Sequence, residues 1–276
     1  MRILLLPVFA LLFTLLSACS GDGNERPDEL TEREYYEKAV EAIEDENYLL
    51  AVETLQKLES RYPFGVYTEQ AQLEMIYAQY QSQELESAKA AAERFIRLHP
   101  EHANVDYAYY MKGLITNHMG LSLVERYLAD EQNMRDPQPA REAFQEFTEL
   151  IRKFPDSPYV SDAHQRMIHL RNRLAHYEVH VGQYYLKRHA FMAAVNRGKH
   201  IVETYQGTDR IGDGLALMVE GYQHLGMDDL ADKSLKVLKL NYPNHPQLED
   251  GKFTHSGFAE KDHRSLLNVV TFGLLG

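Results

Sequence analysis

Apolar positions along this chain recur at helical spacing, and the pattern stops five times at the same kind of signal. The stops read Arg61-Tyr62-Pro63, Leu98-His99-Pro100, Lys153-Phe154-Pro155, Thr204-Tyr205-Gln206 and Asn241-Tyr242-Pro243. In each, an aromatic residue or His is followed by Pro, which cannot continue a helix, and Gln206 takes the Pro position once. Twelve positions before each stop stands an alanine: Ala51, Ala88, Ala143, Ala194 and Ala231. Five positions before it stands a large apolar residue: Leu58, Phe95, Leu150, Ile201 and Leu238. That spacing puts the small and the large residue on one helix face, the first admitting a neighbouring helix and the second filling the gap beside it.

An amphipathic segment precedes each of these helices, over Tyr35 to Glu46, Ala71 to Gln81, Tyr107 to Met119, Val179 to Arg188 and Leu215 to Leu225. Helix, short turn, helix and Pro make up the tetratricopeptide unit. The predicted fold is therefore all-α, a tetratricopeptide-repeat solenoid of about five helix-turn-helix repeats. The stops lie 37, 55, 51 and 37 residues apart, against about 34 for the standard repeat, so two intervals carry insertions. One is an inserted loop near His118 to Asp136, with Asp136 and Pro137 as the N-cap and first-turn Pro of the helix that follows. The other is an extra helix, Tyr159 to Leu174, continuing into the fourth repeat. The expected layout is an N-terminal arm over 31–117, a C-terminal arm over 118–243, and a polar linker with an apolar tail over 244–276, the two arms moving separately. The tail, Leu266 to Leu275, is too short to span a bilayer and either docks on the solenoid or engages a partner.

The N-terminus changes the setting. Ile3 to Leu16 is apolar and uncharged, follows Arg2, and gives way to Gly21, Asp22, Gly23 and Asn24, which marks 1–18 as a secretory signal peptide and not a membrane span. Leu16-Ser17-Ala18-Cys19 has the cleavage pattern of bacterial lipoproteins, so Cys19 is the expected lipidation site and 19–30 a flexible tether. Attachment to the membrane then rests on acyl chains on Cys19, and two or more chains hold stably where one does not. By analogy with lipoprotein sorting, Ser20 in place of Asp after the cysteine favours the outer membrane. Cys19 is the one cysteine, so the mature domain holds together by packing and not by disulfides. The formal charge is -12 and becomes -13 once Arg2 leaves with the signal peptide, which disfavours nucleic acid and anionic lipid surfaces as partners.

Candidate chemistry is thin. His176 and His180 are spaced i, i+4 around Glu178, but the metalloprotease pattern needs Glu where Tyr177 stands, and no third ligand follows. Asp209, Asp213 and Gly214 lack the bidentate Glu of a calcium loop and read as a repeat-entry turn. No nucleophile motif or phosphate loop is present, so no metal, cofactor or enzymatic activity is expected. What stands out instead is 18 tyrosines and 11 phenylalanines without a tryptophan. Many fall on first helices of repeats, where they suit recognition of extended peptides.

Several strings resemble the BamD family of tetratricopeptide lipoproteins, part of the outer-membrane β-barrel assembly machinery. They are Arg61-Tyr62-Pro63-Phe64-Gly65 with Tyr67, Phe95-Ile96-Arg97-Leu98, Asp106-Tyr107 with Tyr110-Met111 and Gly113-Leu114, Arg135-Asp136-Pro137-Gln138, and Val195-Asn196-Arg197. The resemblance covers roughly residues 19 to 243, and the C-terminal tail lies outside it. It implies a scaffold on the periplasmic face of the outer membrane that receives C-terminal strands of unfolded outer-membrane proteins and docks on a BamA-type insertase beside other Bam lipoproteins. Client recognition maps to the surroundings of Tyr62, Phe64 and Tyr67, and the insertase contact to Asn196 and Arg197. Another envelope scaffold, organising peptidoglycan or division proteins, would share the lipoprotein signal and the repeats but not the Arg-Tyr-Pro-Phe-Gly string.

Overall fold

The structure is a computed structural model and describes residues 30–120 and 136–259. Cys19, the inserted loop over 121–135 and the apolar tail lie outside the described residues. Those described form ten helices and one small hairpin: α1 (Glu32–Glu44), α2 (Tyr48–Arg61), α3 (Thr68–Gln81), α4 (Leu85–Leu98), α5 (Val105–Met119), α6 (Gln138–Lys153), α7 (Val160–Lys187), α8 (Phe191–Thr204), α9 (Ile211–His224), α10 (Asp228–Asn241), β1 (Leu248–Glu249) and β2 (Lys252–Phe253). Two compact units divide the chain, residues up to 71 and residues from 72 on. The first holds the α1–α2 hairpin. In the second, each helix from α4 to α10 packs against the next in sequence, and α7 also touches α9, as expected where every repeat buries its apolar face on its neighbour.

Both columns read from the sequence are buried. Ala51, Ala88, Ala143, Ala194 and Ala231 are inaccessible or nearly so, as are Leu58, Phe95, Leu150, Ile201 and Leu238. The stop signal is a C-cap: the amides of Tyr62, His99, Phe154, Tyr205 and Tyr242 donate to the carbonyls of Leu58, Phe95, Leu150, Ile201 and Leu238 at 2.8 to 2.9 Å. Each aromatic carbonyl then accepts from the amide three residues on, in Gly65, His102, Ser157, Thr208 and His245. The Pro sits second in this hydrogen-bonded turn, where its fixed φ is suited and no amide is required, so Gln206 can stand in.

Inside the repeats a second turn recurs. Glu46, Gln83, His189 and Gly226 all have positive φ, from 56° to 67°. The amide after each bonds back to the carbonyl of Ala42, Gln79, Tyr185 and Tyr222 respectively, closing the first helix with a Schellman turn. Three of the four are not glycine, so the left-handed conformation is held there by the Schellman hydrogen bonds against the usual preference of a side chain.

Local signals move several boundaries. Helix α1 starts before Tyr35, because Thr31 accepts from the Glu34 amide while Glu34 accepts from the Thr31 amide, a reciprocal capping box. Helix α6 begins one residue later than expected, with Pro137 as N-cap and the Asp136 carboxylate accepting from the Gln138 amide. The extra helix runs without a break into the fourth repeat as the 28-residue α7. Within the stretch read as a polar linker, Leu248 pairs with Phe253 and Glu249 with Lys252 around Asp250-Gly251. Both turn residues have positive φ, the pattern of a two-residue hairpin loop.

Gly226 has φ +67° with open space where a Cβ would project, so Gly226→Ala is expected to lower stability by about 1 kcal/mol through backbone strain alone. His189→Gly is expected to act in the opposite direction by up to about 1 kcal/mol. Urea titration of both variants checks the pair, and equal destabilisation by each would contradict the left-handed turn.

Candidate functional site

The Arg61-Tyr62-Pro63-Phe64-Gly65 string forms the loop that leaves α2. Tyr62 is pinned at its base: its hydroxyl donates to the Leu30 carbonyl at 3.1 Å, its ring lies 6.5 Å from that of Tyr35, and its carbonyl accepts from the Thr68 hydroxyl at 2.5 Å. Tyr67 is held as firmly, its ring stacked on Tyr36 at 4.9 Å and its amide donating to Glu32 Oε1 at 2.6 Å. Gly65 makes room for that carboxylate, because a Cβ there would come within 2.1 Å of Glu32 Oε1. Between these anchors the loop turns its remaining apolar side chains outward, leaving Phe64 99% and Val66 90% exposed. An ordered loop that presents a whole phenylalanine to water contains a contact group with almost nothing to rearrange first.

Asn196 and Arg197 lie on α8. Asn196 is exposed and Arg197 partly so. The Arg197 guanidinium donates to Glu178 Oε2 at 2.8 Å and lies 6.0 Å from the Tyr185 ring centroid. Glu178, on α7, is 1% exposed along its side chain, and its other oxygen accepts from Arg141 of α6 at 3.2 Å. One buried carboxylate thus joins three consecutive helices, its charge met by two guanidinium groups. Arg141 also borders a cleft of about 250 Å³ with Phe144, Arg171 and Tyr205. Burial raises the Tyr205 hydroxyl above the usual tyrosine range, and the Glu178 charge adds to that, so it stays neutral.

His176, Glu178 and His180 share α7, but Glu178 is committed to the two arginines. Asp213 lies in the first turn of α9 and pairs with Arg210 and His245, while Gly214 meets Ile201 of α8 so closely that a Cβ would fall within 2.9 Å. The region is a repeat entry. Arg141 was missed in the sequence, where its signal was indirect: Leu174, Ala175, Glu178, Val179 and Gly182 follow the buried face of α7, and a carboxylate on that face needs a cation.

Stacked helix pairs, an outward-facing aromatic loop and a half-exposed arginine cluster define a helical-repeat scaffold. The chain belongs to the outer membrane lipoprotein family YfiO, whose pattern matches residues 28–238. It is 37% identical over 231 residues to the outer membrane protein assembly factor BamD of Vibrio cholerae, covering 84% of this chain and 95% of the relative. A protein of the same name from Neisseria meningitidis is 39% identical over 238 residues, covering 84% and 89%. One from Xylella fastidiosa is 35% identical over 250 residues, covering 90% and 85%.

The division of labour in the aromatic loop can be checked by stability. Tyr62→Phe removes the hydroxyl bond to Leu30 and is expected to cost about 1 kcal/mol. Phe64→Ala is expected to leave the thermal midpoint within experimental error.

Proposed function

We propose that the chain is a non-enzymatic scaffold for assembly of outer-membrane proteins, held at the periplasmic face of the outer membrane by acyl chains on Cys19. It receives C-terminal strands of unfolded barrel precursors and docks on a BamA-type insertase beside other Bam lipoproteins. Curated relatives covering most of this chain are named outer membrane protein assembly factors, which favours this reading over a scaffold for cell-wall or division proteins. Among the described residues no helix is long and apolar enough to cross a membrane.

The observation that carries client recognition is the fully exposed Phe64 between two pinned tyrosines. A precursor's last strand presents apolar and aromatic side chains on alternate positions, and an extended peptide can seat every second one against such a surface. Tyr62 and Tyr67 hold the loop in shape, Phe64 and Val66 meet the peptide, and no tight pocket is needed. A client that must be passed on calls for binding of about -8 kcal/mol, near micromolar.

Asn196 and Arg197 form the proposed insertase contact. Arg197 offers its exposed edge to a carboxylate on the partner while its Nη1 remains on Glu178. The nearby Arg141 and Arg171 widen the positive patch on an otherwise acidic chain.

A peptide with an aromatic-ended β-strand is expected to bind residues 20–276 with micromolar affinity, and Phe64→Ala to weaken it by about tenfold or more, the worth of one buried aromatic contact. An unchanged affinity in the Phe64 variant would remove the loop from client recognition. Arg197→Ala is expected to abolish co-purification with the insertase while costing the fold about 1 kcal/mol, since Arg141 stays on Glu178. Retained co-purification, with the fold intact by circular dichroism, would limit Arg197 to its intramolecular role.

A further inference from the structure

Three glutamates are buried among the described residues: Glu146, Glu178 and Glu220. Lys89 and Lys112 each lie 3.5 Å from Glu146, and Glu178 has its two arginines. Glu220, on α9 and 1% exposed, has among the described residues hydrogen bonds from neutral donors only: the Ser256 amide at 2.9 Å, the Ser256 hydroxyl at 2.8 Å and the Gln247 side-chain amide at 3.1 Å. A carboxylate out of water without a countercharge is costly, and such groups are paired with a cation or coordinate a metal.

The missing cation has a place to sit. His224, one turn further along α9, and His255, just past the β1–β2 hairpin, bring one ring nitrogen each within 4.8 Å of one another and of a Glu220 oxygen. Both histidines are exposed on the outer side of the group. His224 stacks on Phe191 at 4.3 Å with ring planes 9° apart, and His255 Nε2 is 2.8 Å from Gln223 Oε1. Donation from Nε2 to that amide oxygen would leave Nδ1 as the lone-pair nitrogen. Outer partners that orient ligands in this way, an amide oxygen on one His and hydroxyl and amide donors on the carboxylate, are the usual second layer of a metal site.

We propose that Glu220, His224 and His255 bind one divalent transition-metal ion of the zinc class. Two imidazoles and a carboxylate suit zinc in preference to calcium or magnesium, which take oxygen ligands. Bonds of about 2.0 to 2.2 Å require the three donors to draw together by roughly 1 Å. The ion neutralises Glu220 and clips the segment after the hairpin onto α9, adding a metal bridge to the Ser256 hydrogen bonds. Sequence spacing passes over the site because its third ligand lies 31 residues beyond the second.

The test uses full-length protein, purified in detergent and stripped with a chelator, then titrated with Zn²⁺ by calorimetry and with Co²⁺ by visible absorption. The expected result is uptake of one ion per chain, a tetrahedral cobalt spectrum and a raised thermal midpoint. His255→Ala, an exposed position that should fold normally, is expected to reduce affinity by about tenfold or more. His176→Ala with His180→Ala is expected to bind like the parent protein. Failure of the parent protein to take up either ion, or equal uptake by the His255 variant, would overturn the proposal and leave Glu220 as a hydrogen-bonded anchor for Ser256.

Discussion

Close approach of neighbouring helices at the alanine column is the constraint on which the other features depend. Ala51, Ala88, Ala143, Ala194 and Ala231 are each buried where a helix must come near its neighbour, and two turns further on a large residue fills the space that the approach encloses. A bulkier side chain at the first position would hold the backbones apart and strand the second beside a void; strain and cavity together cost several kcal/mol at one contact. The aromatic C-cap follows from the same geometry. With the large residue locked, its carbonyl is the one that the capping amide finds, so the packing and the end of the helix are set by a single position.

Much of this could be read from the chain because small, large and aromatic-Pro positions keep fixed offsets that neither insertion disturbs. Other features left fainter marks. The Asp250-Gly251 turn carried an ordinary hairpin signal, muted by strands of only two residues each. The left-handed turns at Glu46, Gln83 and His189 lacked the glycine that announces them, and these exposed residues are held by the helix-closing backbone hydrogen bonds around them. In the candidate site, the sequence offered Tyr62, Phe64 and Tyr67 as equals. Which aromatic turns outward depends on a hydroxyl reaching Leu30 and a carboxylate reaching Tyr67 from the far end of α1, and neither contact has a sequence signature.

Buried carboxylates show the same limit from the electrostatic side. Local sequence did not separate Glu178, clasped by arginines from two other helices, from Glu220, held by a serine and a glutamine from beyond the hairpin. Their partners lie 19 to 37 residues away from the carboxylate, and each is placed there by helix stacking. These buried carboxylates take their partners from other elements, whereas exposed pairs such as Arg33–Glu37 and Lys57–Glu53 lie within one helix. A net charge of -12 therefore says little about the local fields that a partner would meet.

The isolation of the Phe64 ring has an optical consequence. The chain contains no tryptophan, and the Phe64 side chain is 99% exposed, so an indole placed there would disturb no packing and would be the sole emitter of its kind in the protein. Its colour would report directly on whether water or another molecule surrounds the loop, with a background of tyrosine alone.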